Sequence, residues 1–114
     1  MSRIHRKGVD KEAQAVSYLE KLGYTIITRN YRVRGGEIDI ICLDNECLVF
    51  VEVRSGKHNP YFAVEETINT RKKGRIIHTA ESYMSNVAEK MMPMRFDVIT
   101  ITGETLKHYK NAFN

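Results

Sequence analysis

Glu37-Ile38-Asp39-Ile40-Ile41-Cys42-Leu43, then Asp44-Asn45-Glu46, then Cys47-Leu48-Val49-Phe50-Val51-Glu52-Val53-Arg54: this stretch decides the fold. Two runs dense in β-branched and aromatic residues flank a short polar turn, which predicts a β-hairpin. Alternation puts Ile38, Ile40, Val49, Val51 and Val53 on one face and Ile41, Leu43, Leu48 and Phe50 on the other. Both faces are therefore apolar. Such strands need cover on both sides, so the hairpin belongs at the centre of a sheet with helices above and below.

Working outward, Ala13, Val16, Leu19 and Leu22 recur at helical spacing and predict a helix over Asp10–Leu22, capped by Asp10 and ended by Gly23. Residues 24–33 read as a strand and Arg34-Gly35-Gly36 as a turn. Beyond the hairpin, residues 55–63 read as a loop. A long helical segment follows over 64–88, with Ile76, Ile77, Ala80, Tyr83, Met84 and Val87 as its apolar stripe. Gly74 is a flaw in that helix and a candidate bend. Residues 95–102 form a strand, Gly103-Glu104 a tight turn, and residues 106–109 a short last strand. The crossover from Arg54 to Arg95 should make the strands it joins parallel, with a right-handed connection. The expected fold is α/β, a mixed sheet of about five strands flanked by helices.

The chain has 114 residues, the size of one domain, and residues 1–8 read as a flexible basic arm ahead of it. Hydrophobic residues make up 42% and charged residues 28%, a balance that excludes a disordered chain. A net charge of +4 points weakly toward nucleic acid. Cys42 and Cys47 lack metal-type spacing and read as free thiols, which suits a cytoplasmic protein. No apolar run is long enough to span a membrane, and none is expected as a partner.

The chemistry centres on two carboxylates. If Asn45 and Glu46 form the turn, 44 faces 47, 43 faces 48, and Asp39 faces Glu52. Arg54 then projects from the same face as Glu52. Opposed carboxylates on central strands destabilise a sheet unless positive charge lies between them. A hard divalent cation such as Mg²⁺ would resolve the repulsion, because it takes one or two carboxylates plus waters and substrate phosphates. It could polarise a phosphodiester and activate water, while Arg54 neutralises charge in the transition state. The competing possibility is that Asp39 and Glu52 sit at strand ends, solvated or paired with Arg54 and another base. A one-residue shift of the turn would make the pair diagonal.

Those residues also carry a resemblance. Gly36-Glu37-Ile38-Asp39-Ile40-Ile41 followed by Leu48-Val49-Phe50-Val51-Glu52-Val53-Arg54 resembles the core of the YraN family. These are small bacterial proteins of the PD-(D/E)XK nuclease-like superfamily, similar in fold to Holliday junction resolvases. Glu12-Ala15-Tyr18-Leu19, Arg29 to Arg32, Lys72-Arg75-Ile76 with Ala80 and Tyr83, Arg95 to Val98, and Asn111-Ala112-Phe113 extend the match over nearly the whole chain. The resemblance implies a restriction-endonuclease-like core and a site of Glu12, Asp39, Glu52 and residue 54. It implies Mg²⁺ or Mn²⁺ held by Asp39, Glu52 and the Val53 carbonyl, with Glu12 reaching the ion directly or through water. Position 54 departs from the superfamily pattern, being Arg rather than Lys. Arginine stays charged and cannot act as a base.

Arg32, Arg34, Lys72 and Arg75 are the candidate nucleic-acid contacts, although such residues are as often a solvated face. Glu37 reads as a solvated residue at a strand start, with an outer-ligand role as the alternative. His5, His58, His78 and His108 lack ligand spacing and read as surface or helix residues. Asp97, in an apolar strand, either pairs with a buried base or lies at an exposed strand start. The expected function is metal-dependent endonucleolytic hydrolysis of branched or structured nucleic acid, DNA before RNA, with a homodimer suggested by the resolvase likeness. The rival is a nucleic-acid-binding module that keeps the fold without turnover. An interaction protein with no nucleic-acid role is the third and weaker reading.

Overall fold

The computed structural model describes residues 3–55, 70–86 and 92–113, with side chains described from Lys11 onward. The elements are α1 (Arg3–Lys21), β1 (Thr25–Val33), β2 (Gly36–Asp44), β3 (Cys47–Ser55), α2 (Thr70–Asn86), β4 (Met94–Thr102) and β5 (Thr105–Phe113). The five strands form one sheet in the order β1-β2-β3-β4-β5. Only the β3–β4 pair is parallel. The fold is thus the expected α/β mixed sheet with a helix on each face. The expected loop over 56–63, the first part of the long helix over 64–69 and its end at 87–88 lie outside the described residues.

Apolar strands at the centre create two cores. On the α2 face, Ile41, Leu48, Phe50, Phe96, Val98 and Phe113 pack against Ile76, Ala80 and Tyr83. On the α1 face, Ile40, Cys42, Val49, Val51, Ile99 and Ile101 pack against Ala15 and Leu19. Burial pushes the Cys42 thiol up to about 12, which suits an inert core residue. The helix α1 begins at Arg3, so Asp10 lies inside it and does not cap it. No proline stands between Arg3 and Asp10 to stop helix propagation. Its buried stripe is also rotated from the expected one: Ala15 and Leu19 face the sheet, while Ala13 and Leu22 are exposed.

The hairpin has the expected register, Asp44↔Cys47 through Ile40↔Val51. Ile38 departs from expectation, packing on the α2 side with Ile41, Phe50 and Tyr31 rather than with Ile40. Alternation is thus broken between Ile38 and Ile40. The β1–β2 rungs Arg29↔Ile40 and Tyr31↔Ile38 keep one register, and between them Asn30 has φ +52°; the register shift of this strand pair lies between Ile26 and Thr28. Asparagine tolerates that left-handed conformation better than most residues.

The start of β2 is pressed against α2. A Cβ on Gly36 would sit on Thr79 Oγ1 and within 2.8 Å of the Arg75 carbonyl oxygen. Thr79 Oγ1 already donates to that carbonyl at 2.7 Å. Gly74, by contrast, lies within α2 with open space where its Cβ would be.

A buried polar network ties β4 to β5, α1 and the hairpin turn. Asp97 is fully buried and accepts from Arg95 Nε (3.0 Å), Arg95 Nη2 (3.2 Å), His108 Nε2 (2.7 Å) and the Asn111 backbone N–H (2.9 Å). Arg95 also donates to Asp44 (3.0 Å) and to the Tyr24 hydroxyl (2.8 Å), and His108 Nδ1 meets the Tyr18 hydroxyl at 3.0 Å. Of the two alternatives for Asp97, the structure shows pairing with a buried base. His108 is not at the surface as expected; its side chain is only 5% exposed. The last strand, too, runs further than expected. The Asn111 amide is taken by Asp97, and the Phe113 ring stacks on Phe96 with 5.0 Å between centroids.

Burial alone would raise the pKa of Asp97, but the hydrogen bonds from His108, Arg95 and the Asn111 amide hold it below the ordinary carboxylate value. A depressed folded-state pKa contributes stability that is present above the unfolded value and lost as pH falls through the folded one. Urea titrations across the acid range should show Asp97→Asn about 3–5 kcal/mol less stable near neutrality. Its acid limb should be flatter than that of the wild type. A second comparison tests the packing at β2. Gly36→Ala should lose about 1–3 kcal/mol by overpacking, whereas Gly74→Ala should gain about 1 kcal/mol from helix propensity alone.

Candidate metal and phosphate site

At the open end of the hairpin the strands part. The recorded β2–β3 rungs end at Ile40↔Val51, and the next step in the same register brings Asp39 opposite Glu52. Asp39 Oδ2 accepts the Val53 backbone N–H at 2.8 Å, so a side-chain carboxylate satisfies that amide. Glu52 is only 7% exposed. Its Oε2 lies 3.1 Å from Lys72 Nζ on α2 and 3.6 Å from Arg54 Nη1. The expected juxtaposition of Asp39, Glu52 and Arg54 is therefore present, and Lys72 joins it from the helix.

Desolvation, reinforced by the charge of Glu52, raises the pKa of Asp39 to about 7. The Val53 amide opposes that rise, and the charge of Glu12 adds to it. Glu12 approaches from α1, where its Oε1 accepts from Arg29 Nη2 and Asn30 Nδ2, each at 3.2 Å. It is close enough to act on Asp39 electrostatically, but its own hydrogen bonds are to β1. Val53 lies on the same strand as Glu52, and its N–H is the group engaged with Asp39.

Among the described residues, no group of three or more His, Cys, Asp or Glu side chains is arranged to hold a metal ion. The two carboxylates Asp39 and Glu52 are a smaller donor set. Their chemistry fits Mg²⁺ or Mn²⁺, which use one or two carboxylates and fill the remaining positions with water and phosphate oxygens. Burial and the charge of Glu52 together raise Asp39, and a divalent cation would offset both.

Of the cations expected to contact nucleic acid, Arg32, Lys72 and Arg75 line one pocket with Val33, Gly36, Glu37 and Ile76. Arg34 is not among its lining residues; its carbonyl accepts from His78 Nε2 at 3.3 Å. Glu37, at the start of β2, is paired with Arg32 Nε at 2.8 Å. The approach of the Lys72 ammonium to Glu52 is not foreshadowed in the residue pattern. Lys72 and Glu52 lie on separate elements, and no local pattern relates them.

The sheet order, the flanking helices and the paired carboxylates on central strands define a small α/β domain with a candidate cation site at a strand break. Residues 11–101 match the model of uncharacterised protein family UPF0102. UPF0102 proteins of Persephonella marina and Cytophaga hutchinsonii are 45% and 44% identical to the chain. The first alignment covers 95% of this chain and 93% of the relative, the second 89% and 88%. A UPF0102 protein of Lachnoclostridium phytofermentans is 42% identical over 109 residues, 95% of this chain and 92% of the relative. The chain belongs to the UPF0102 family, which bears out the family resemblance carried by its sequence motifs. No helix among the described residues is long and apolar enough to cross a membrane.

The raised pKa of Asp39 gives a test with a definite sign. A carboxyl whose folded pKa exceeds its unfolded value loses stability as pH rises between the two, here from about 4 to about 7. In EDTA at pH 8, Asp39→Asn should therefore melt higher than wild type by roughly 4–8 °C, the equivalent of about 1 kcal/mol. The gap should close near pH 4, where both residues are neutral. An unchanged or lower melting temperature at pH 8 would show that Asp39 is not repelled.

Proposed function

We propose that the chain hydrolyses a phosphodiester bond in nucleic acid using a divalent ion held by Asp39 and Glu52. The observation that carries this reading is the near-buried carboxylate pair at the split between β2 and β3. Proteins seldom keep such a pair for stability alone. The Val53 carbonyl and bound waters would complete the ion's shell, with Glu12, whose Oε1 is held by Arg29 and Asn30, reaching it through Oε2 or a water. Such an ion, when bound, supplies Lewis-acid activation of water and of the phosphate.

The chain's own residues would divide the rest. Arg54 stays cationic and balances charge on the phosphate oxygens. Lys72 adds a second positive charge from α2. Both already compensate Glu52 without an ion, and this supports a second reading. In that reading the chain is a nucleic-acid-binding module whose cations replace the metal and whose turnover is lost. In either case the partner is nucleic acid, with DNA favoured over RNA. The nuclease superfamily resemblance also supports a homodimer acting on a branched substrate in the cytoplasm.

The deciding experiment is cleavage of single-stranded, duplex and four-way-junction DNA and structured RNA, with Mn²⁺, Mg²⁺ or EDTA. Wild type should cut in a metal-dependent way, and Asp39→Ala should cut at least about a hundredfold more slowly. A parallel melting series should show Mn²⁺ stabilising the wild type by about 2.7 kcal/mol at one hundred times its Kd. No cutting and no Mn²⁺ shift would leave the binding module as the function. Equal cutting by wild type and variant would mark a contaminant.

A further inference from the structure

Beside the carboxylate pair lies a pocket of about 310 Å³ that the hydrolytic chemistry does not use. One wall is Arg32 and Glu37 from β1 and β2; the other is Lys72, Arg75 and Ile76 from α2. The two walls meet at Gly36, whose backbone is packed directly against Thr79 and the Arg75 carbonyl. Lys72 belongs to both places, since its ammonium reaches Glu52 at 3.1 Å while the residue lines the pocket. The pocket therefore opens next to the candidate ion site. Three cations face one carboxylate here, and that carboxylate, Glu37, is held by Arg32 at 2.8 Å. Val33 and Ile76 add apolar surface.

We propose that this pocket is a subsite for a second phosphodiester of the same nucleic-acid strand, next to the one that is cut, and that Glu37 controls access to it. The identity of the strand rests on the phosphodiester reading above. A phosphate entering the pocket meets Arg75 and draws Arg32 away from Glu37. Arginine suits this exchange because its planar fork binds carboxylate and phosphate in the same geometry. The apolar side of the pocket accommodates the sugar that links the two phosphates. Glu37 thus has a role other than outer metal ligand or solvated strand start: it competes with phosphate for Arg32. The carboxylate weakens binding, and its removal has the opposite sign from removal of either arginine.

The test is anisotropy of a fluorescein-labelled single-stranded oligonucleotide and a labelled four-way junction over a salt series, in EDTA so that no ion contributes. Arg75→Ala should weaken binding about tenfold and make the slope of log affinity against log salt shallower by about one. Arg32→Ala should act in the same direction. Glu37→Gln should tighten binding by about threefold. These side chains are exposed, and equal melting temperatures would verify that the fold is kept. Unchanged affinity and slope in Arg75→Ala would overturn the subsite; weaker or unchanged binding in Glu37→Gln would overturn its control by Glu37. The two proposals fail separately. Arginine-dependent binding without any cleavage removes the nuclease and keeps the subsite, whereas metal-dependent cleavage with arginine-independent binding does the reverse.

Discussion

Two carboxylates brought together on the central strands of a sheet are the constraint around which this end of the molecule is arranged. Asp39 and Glu52 cannot both be charged, close and poorly solvated without compensation. The neighbouring irregularities all bear on that conflict. Asn30 takes a left-handed backbone conformation and gives its amide to Glu12. The β2–β3 ladder ends one step early, and the Val53 amide goes to Asp39. Arg54 and Lys72 converge on Glu52 from a strand and a helix. Each departure from regular sheet geometry is unfavourable alone, and together they surround one locus.

The opposite end of the hairpin explains how that strain is tolerated. There the turn closes tightly, Asp44 is bonded to Arg95, and Arg95 is bonded to the buried Asp97. Every oxygen of Asp97 has a donor, and among the described residues no buried side-chain polar atom lacks a partner. Two apolar cores, one on each face, add non-directional stabilisation between the ends. The hairpin is thus well fixed where it turns and along its middle, which leaves its open end to hold groups in an unfavourable arrangement.

Much of this was legible in the residues. The doubly apolar hairpin announced central strands and helices on both faces, and its two-residue turn set the register that opposes Asp39 to Glu52. The crossover predicted the parallel β3–β4 pair. What escaped notice depended on contacts between distant segments. Alternation could not foresee the reversal at Ile38, which packs on the α2 side while Ile40 packs on the α1 side. His108 gives no sign of burial within a polar stretch; only Asp97 and Tyr18, from two other elements, make its burial favourable. Arg95 and Asp97, two apart on a strand and so on one face, were the signal that a buried ion pair was available. The residues make Lys72 a candidate nucleic-acid contact, but its ion pair with Glu52 has no local signal because the two are far apart in sequence.

The contact at Gly36 has a consequence for recognition. The start of β2 is pressed onto α2, with the Thr79 hydroxyl and the Arg75 carbonyl standing where a Cβ on Gly36 would be. The backbones that carry Arg32 on one side and Arg75 on the other therefore meet at close range, while the two side chains stay exposed. In the proposed subsite, such a surface would gauge the interval between charges along a partner, at a smaller entropic cost than if the two backbones were apart.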